Sequence, residues 1–173
     1  MKKMLILPAV LVLFSCNSQK KAVAYKEAKV QNESCPADGT CKVTLEKDKA
    51  LDIKKDEFGS TYYHLIDAPG KNVVKYEYTR HIADTTLADA GYREEVAFEV
   101  DSANPNMELT GFTLENGKVL FGRFCFCRGA TGYYRVRDGN LLVKQEDAKL
   151  NIKMNFKITE VPQIIKNFEI VIQ

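Results

Sequence analysis

From Cys35 to the end of the chain, apolar and polar residues alternate with a period of two over one short run after another. In "YREEVAFEVD", Val96, Phe98 and Val100 fall on one face and Glu95, Ala97, Glu99 and Asp101 on the other. In "AKLNIKMNFKITEV", Leu150, Ile152, Met154, Phe156 and Ile158 alternate with Lys149, Asn151, Lys153, Asn155 and Lys157. Successive side chains of a strand point to opposite sides, so such runs predict strands with one buried face. "CKVTLEK", "STYYHLID", "NVVKYEYTR" and "QIIKNFEIVIQ" add runs rich in β-branched and aromatic residues. Asn116-Gly117 and Asp138-Gly139 each lie between two runs and tolerate the positive φ of a tight hairpin turn. About nine to ten strands at roughly 10-residue spacing predict an all-β fold, an antiparallel β-sandwich or partly closed β-barrel over residues 35–173. No amphipathic helix interrupts the pattern after residue 35; "TTLADAG" has room for a helical turn.

The first 34 residues follow other rules. Lys2 and Lys3 precede an unbroken apolar run from Leu5 to Phe14. That run is too short to span a bilayer, which takes roughly 20 helical residues, and has the length of a signal-peptide core. It ends in Leu13-Phe14-Ser15-Cys16, and a polar stretch follows. This pattern resembles the lipobox of bacterial lipoprotein precursors, with Phe14 bulkier than usual at the variable position. The resemblance covers residues 1–16 and implies that residues 1–15 are removed and that Cys16 carries acyl chains. More than one chain makes anchoring stable, at about 0.8 kcal/mol per buried CH₂. The expectation is a protein of the bacterial cell envelope, held to a membrane by lipid and exposed to the periplasm or cell surface. Residues 16–34 then form a lipidated cysteine and flexible tether, lysine-rich and without apolar periodicity. Its lysines are each worth about 1 kcal/mol beside anionic headgroups.

Charge narrows the partners. The net charge is +2 with both signs interspersed, so a nucleic-acid partner, which favours a strongly basic face, is not expected.

Cys35, Cys41, Cys125 and Cys127 make an even set in an exported chain, which favours disulfides. Two residues apart in a strand, Cys125 and Cys127 have Cβ atoms about 6.6 Å apart, against the 3.5–4.5 Å of a disulfide. They cannot join unless the strand has bent. Cys41–Cys125 and Cys35–Cys127 are therefore the expected bonds, with the crossed pairing as runner-up. Each would close a loop of roughly 85–90 residues, worth about 4 kcal/mol. The rivals are a zinc or copper(I) site of four thiolates and a redox pair. The C-x5-C and C-x-C spacings are not those of structural zinc sites, and no C-x-x-C motif is present.

No catalytic set emerges, and no cofactor is implied. H-E-x-x-H, G-x-S-x-G and a phosphate-cradling glycine loop are all missing from the sequence. His64 reads as a strand residue. His81 with Asp84 beside Thr85 and Thr86 is a nucleophile-and-base arrangement in outline and a polar loop in the plainer reading. The carboxylates of Glu94, Glu95, Glu99 and Asp101 read as a solvated outer face. Asp101-Ser102-Ala103 and Asp84-Thr85-Thr86 resemble the short acceptor sequence of some bacterial O-glycosylation systems. Tyr and Arg are favoured at interfaces, which makes Arg123, Arg128, Tyr133, Tyr134 and Arg135 the expected contact surface. The expected function is a non-catalytic binding or interaction module. The alternatives are a lipocalin-like small-ligand carrier and a metal-handling or stress-sensing lipoprotein using Cys35, Cys41, Cys125 and Cys127.

Overall fold

The computed structural model describes residues 28–30, 35–82, 86 and 89–173. The apolar segment 1–15, Cys16, most of the tether, Asp84 and Thr85 lie outside the described residues. The fold is all-β, as the alternation predicts. Among the described residues ten strands run in order: β1 Ala28–Val30, β2 Gly39–Lys55, β3 Thr61–Arg80, β4 Tyr92–Asp101, β5 Met107–Thr110, β6 Leu120–Cys125, β7 Gly132–Arg135, β8 Gly139–Glu146, β9 Lys149–Phe156 and β10 Asn167–Ile172. They form two antiparallel five-stranded sheets, ordered β1-β10-β9-β8-β5 and β2-β3-β4-β6-β7.

The sheets pack face to face. Val74, Tyr76, Tyr78, Val96, Phe98 and Phe121 of the second sheet meet Leu141, Ile152, Phe156, Phe168 and Ile170 of the first in one buried cluster. Tyr76 stacks flat on Phe168 with ring centroids 4.3 Å apart, and Phe121 meets Phe156 at 5.6 Å. The inward sets of β4 and β9 are those the period of two selects: Leu150, Ile152, Met154, Phe156 and Ile158 are all buried.

Two turn signals do not make hairpins. Gly111–Gly117 is a short 3-10 helix, and Leu114 on it is buried in the core. Burial of that leucine outweighs the local preference of Asn116-Gly117 for a tight turn. Asp138-Gly139 stands where the chain leaves one sheet and enters the other. Gly139 has φ of 140°, and an added Cβ would collide with the backbone of Asn155 and Phe156. Here the glycine serves close approach, not a hairpin.

Pro69-Gly70 also fails to end a strand. β3 runs through it for 20 residues and pairs with a β2 of 17 residues. The register shifts between Lys47 and Lys49, where Asp48 has φ of 53° and accepts from the Gly70 amide. This bulge bends both strands together. The far half of the hairpin folds back across the outer face of its own sheet. Leu51 packs there with Val73 and Ala97, and Thr61 pairs with Tyr133 of β7. That pairing closes β3, β4, β6 and β7 into a small ring. So few strands enclose room only for side chains, and the ring's space is occupied by Leu51, Val73, Ala97, Tyr63 and Leu65.

The cysteine pairing differs from the expected one. The disulfides are Cys35–Cys41 and Cys125–Cys127; Cys41–Cys125 and Cys35–Cys127 do not form. Cys41 pairs with Tyr78, Tyr78 with Glu94, and Glu94 with Arg123, so β3 and β4 lie between the two cysteine strands. Three strand spacings are roughly 14 Å, far beyond disulfide reach. The strand has bent at the second pair: β6 ends at Cys125, and the Cys125 and Cys127 Cα atoms are 5.1 Å apart.

Candidate functional site

The two ends of the sandwich differ. At one end Ala28 pairs with Ile172, Ile172 with Leu150, and Leu150 with Gln145, whose amide donates to Asn106 Oδ1 at 2.7 Å. The N-terminal segment joins the fold at this end. Both disulfides and the loop between β9 and β10 lie at the other. Glu94, 1% exposed, organises that second end. Its carboxylate accepts from the Ile164 and Ile165 amides and from Tyr92 Oη, at 2.6–2.7 Å.

A cleft of about 480 Å³ opens at the disulfide end, between the tip of the β2–β3 hairpin and the β6–β7 segment. Lys55, Phe58, Tyr133, Tyr134, Arg135, Arg137 and Glu160 are among its walls. The bent hairpin supplies one wall. Asp56 Oδ1 accepts from the Phe58 and Ser60 amides at 2.9 and 2.8 Å and fixes the tip. The disulfide loop supplies the other, closed by Thr131 Oγ1, which donates to the Arg123 carbonyl and accepts from the Cys125 amide. Cations outnumber acids in the walls. Arg137 donates to Glu115 at 2.7 Å, whereas Lys55 and Arg135 form no ion pair among the described residues.

Behind the cleft lies a buried polar cluster centred on Glu95, which is 6% exposed. Glu95 Oε1 accepts from Tyr63 Oη at 2.7 Å and from Tyr133 Oη at 3.0 Å. Its other oxygen receives Arg93, which also donates to Glu77. The Arg93 guanidinium lies 4.0 Å from the centroid of Phe124, and Phe124 meets Tyr133 edge-on at 5.2 Å. Gly122 makes room for this stack, since a Cβ there would sit 2.7 Å from both the Phe124 and Tyr133 rings. Burial, and then the charge of Glu95, push the Tyr63 and Tyr133 hydroxyls far above the usual phenol range. Both therefore stay protonated and act as donors. The cluster ties the hairpin to β4 and holds Tyr133 in the cleft wall.

The expected Tyr/Arg surface is divided. Tyr133, Tyr134 and Arg135 line the cleft. Arg123 is 8% exposed and points inward, donating to the Ala130 carbonyl and Tyr92 Oη. Arg128 is exposed on the disulfide loop and does not line the cleft. The surface is divided because Arg123 is held inward by Tyr92 and Ala130, while Arg128 lies in the loop beyond the end of β6.

Glu94, Glu95 and Glu99 of β4 are not a solvated face; Asp101, at the strand's end, is half-exposed. Glu95 lies under the hairpin, Glu99 accepts from the Leu51 amide and from Lys118, and Glu94 points into the sandwich. His64 packs edge-on to Tyr62, and His81 is exposed, its amide donating to the Asp38 carbonyl. Asp101 closes a turn by accepting from the Ala103 and Asn104 amides. Lys55 and Phe58 belong to the cleft and went unread in the sequence. The bulge that brings the hairpin tip to β7 has no signal in the alternation except the Pro69-Gly70 break.

The fold and the cleft define an all-β, two-sheet, disulfide-bonded domain. No protein-family model, curated protein or solved structure matches the chain.

Proposed function

We propose that this protein is a lipid-anchored lipoprotein of the bacterial cell envelope, and that its β-domain is a binding module working through the cleft. The lipobox-like segment ending at Cys16 supports the anchor. The observation that carries the site is the cleft's placement. Its walls are formed at the disulfide end, and the N-terminal segment joins the fold at Ala28, at the opposite end. An anchored domain would thus hold the cleft away from its membrane. The module is favoured over a lipocalin-like carrier because the ring that resembles a barrel is occupied by side chains. Disulfide pairing of Cys35, Cys41, Cys125 and Cys127 leaves them no thiolate for the metal-handling alternative.

Two measurements test this. Cys16→Ser should move the full chain from the membrane fraction to the soluble one and abolish incorporation of labelled palmitate. A variant that stays in the membrane removes the anchor. Chemical-shift mapping of the full-length protein in detergent, against a panel of anionic, neutral and cationic small molecules, should perturb amides in 55–61 and 129–137 together. Perturbations scattered over both sheets, or none, would remove the cleft as the site.

A further inference from the structure

We infer that the cleft takes an anionic saccharide unit, a sugar ring bearing a carboxylate or phosphate. This rests on reading the cleft as the binding site.

Charge is the first argument. Lys55, Arg135 and Arg137 stand in walls that hold one carboxylate, Glu160; with Glu115 paired to Arg137 just beside them, one positive charge is left over. Neither Lys55 nor Arg135 forms an ion pair among the described residues, although Arg135 lies within electrostatic reach of Glu115. A guanidinium receives a carboxylate or phosphate through paired N–H donors, and an ammonium adds a point charge. Both are preserved here for a ligand from solution.

Shape and surface chemistry give the second argument. Phe58 is 85% exposed and stands in the same wall. The two hydrogen bonds from the Phe58 and Ser60 amides to Asp56 fix the backbone of the tip, so the ring projects from a defined turn. An aromatic side chain has only two rotatable bonds, so it loses little entropy when a flat partner covers it. The axial C–H face of a sugar is such a partner, apolar on one side and ringed by hydroxyls. Ser60 and Thr61 add hydroxyls to the same wall, where sugar hydroxyls would exchange hydrogen bonds. A volume of about 480 Å³ suits one or two sugar rings and is at the small end of ordinary ligand sites. Cations alone would accept any anion. The aromatic face and hydroxyl wall together specify the sugar.

The test is an NMR titration of the full-length protein in detergent, at low salt, with four probes: glucuronate, glucose 6-phosphate, glucose and inorganic phosphate. Glucuronate and glucose 6-phosphate should bind at the cleft, each at least about tenfold more tightly than glucose or phosphate. The double variant Lys55→Gln/Arg135→Gln should weaken both by about tenfold or more, and Phe58→Ser by roughly fivefold. Lys55→Arg/Arg135→Lys, which preserves charge, should retain binding and guards against a folding defect. Lys149→Gln, on the far hairpin, should change nothing. Phosphate binding as tightly as glucose 6-phosphate would mean a bare anion site, and glucose binding as tightly would mean a neutral-sugar site. Either overturns the inference, as does insensitivity to Lys55 and Arg135. If only neutral or cationic compounds map to the cleft, the binding module survives and the anionic saccharide does not. If no compound maps there, both fall.

Discussion

Glu94 and Glu95 are neighbours in sequence with the same side chain and opposite destinations. The pleat sends Glu94 into the sandwich, where two backbone amides and a tyrosine hydroxyl satisfy it. It sends Glu95 outward, under the folded hairpin, where two tyrosine hydroxyls and Arg93 satisfy it. A buried carboxylate is tolerated only when its acceptor sites are filled. The alternation of β4 places each on its face, but what covers the outer face comes from residues some 30 positions away. Gly122 shows the same dependence. Its neighbours in sequence explain nothing, yet Phe124 and Tyr133 leave no space for a methyl group. Gly122→Ala should therefore cost about 1–3 kcal/mol as both rings shift. Urea unfolding of the two proteins measures it, and an unchanged midpoint would show that the stack yields easily.

At the scale of elements, the hairpin of β2 and β3 decides most of what the sequence did not reveal. Read locally, β3 is two strands separated by Ala68-Pro69-Gly70. In the fold it is one, because Asp48 bridges the bulge and the far half finds a second surface to cover. The short loop between β6 and β7 is the other deciding element. The expected long-range disulfides would each have stabilised by about 4 kcal/mol, whereas loops as short as these correspond to about 1.2–2.4 kcal/mol on the same chain-entropy model. Cys125→Ala/Cys127→Ala should lower stability by about 2 kcal/mol or less and leave both sheets folded. Peptide mapping of the unreduced protein should recover Cys35 with Cys41 and Cys125 with Cys127. The double variant would remove both long-range bonds, so a loss well above about 4 kcal/mol, or peptides joining Cys41 to Cys125, would restore that pairing.

For the molecule as a whole, the tyrosines set how the fold responds to base. Burial pushes Tyr76 and Tyr92 up to about 12, and Tyr63 and Tyr133 rise further. In the unfolded chain these groups titrate near 10. Below that pH both states hold the phenolic protons, and the fold's stability is complete. Above it the unfolded chain releases protons that the fold retains, so stability falls as pH rises from about 10 through 12. Urea midpoints should be flat between about pH 8 and 9.5 and drop steeply by about pH 11, with tyrosinate absorbance appearing as the protein unfolds. Full tyrosinate absorbance from all eight tyrosines, reached while the protein is still folded at about pH 11, would contradict this. The sequence by itself determined the all-β class, the inward faces of β4 and β9, and the lipobox-like start. Each is a local pattern, legible in a few consecutive residues because side-chain direction in a strand has a fixed period. Tertiary structure alone decided the disulfide pairing, the burial of the β4 carboxylates and the assembly of the cleft. Each depends on which strands become neighbours and on where a long hairpin bends. Those choices are made by surfaces that meet only after folding, and no short window of sequence contains both partners.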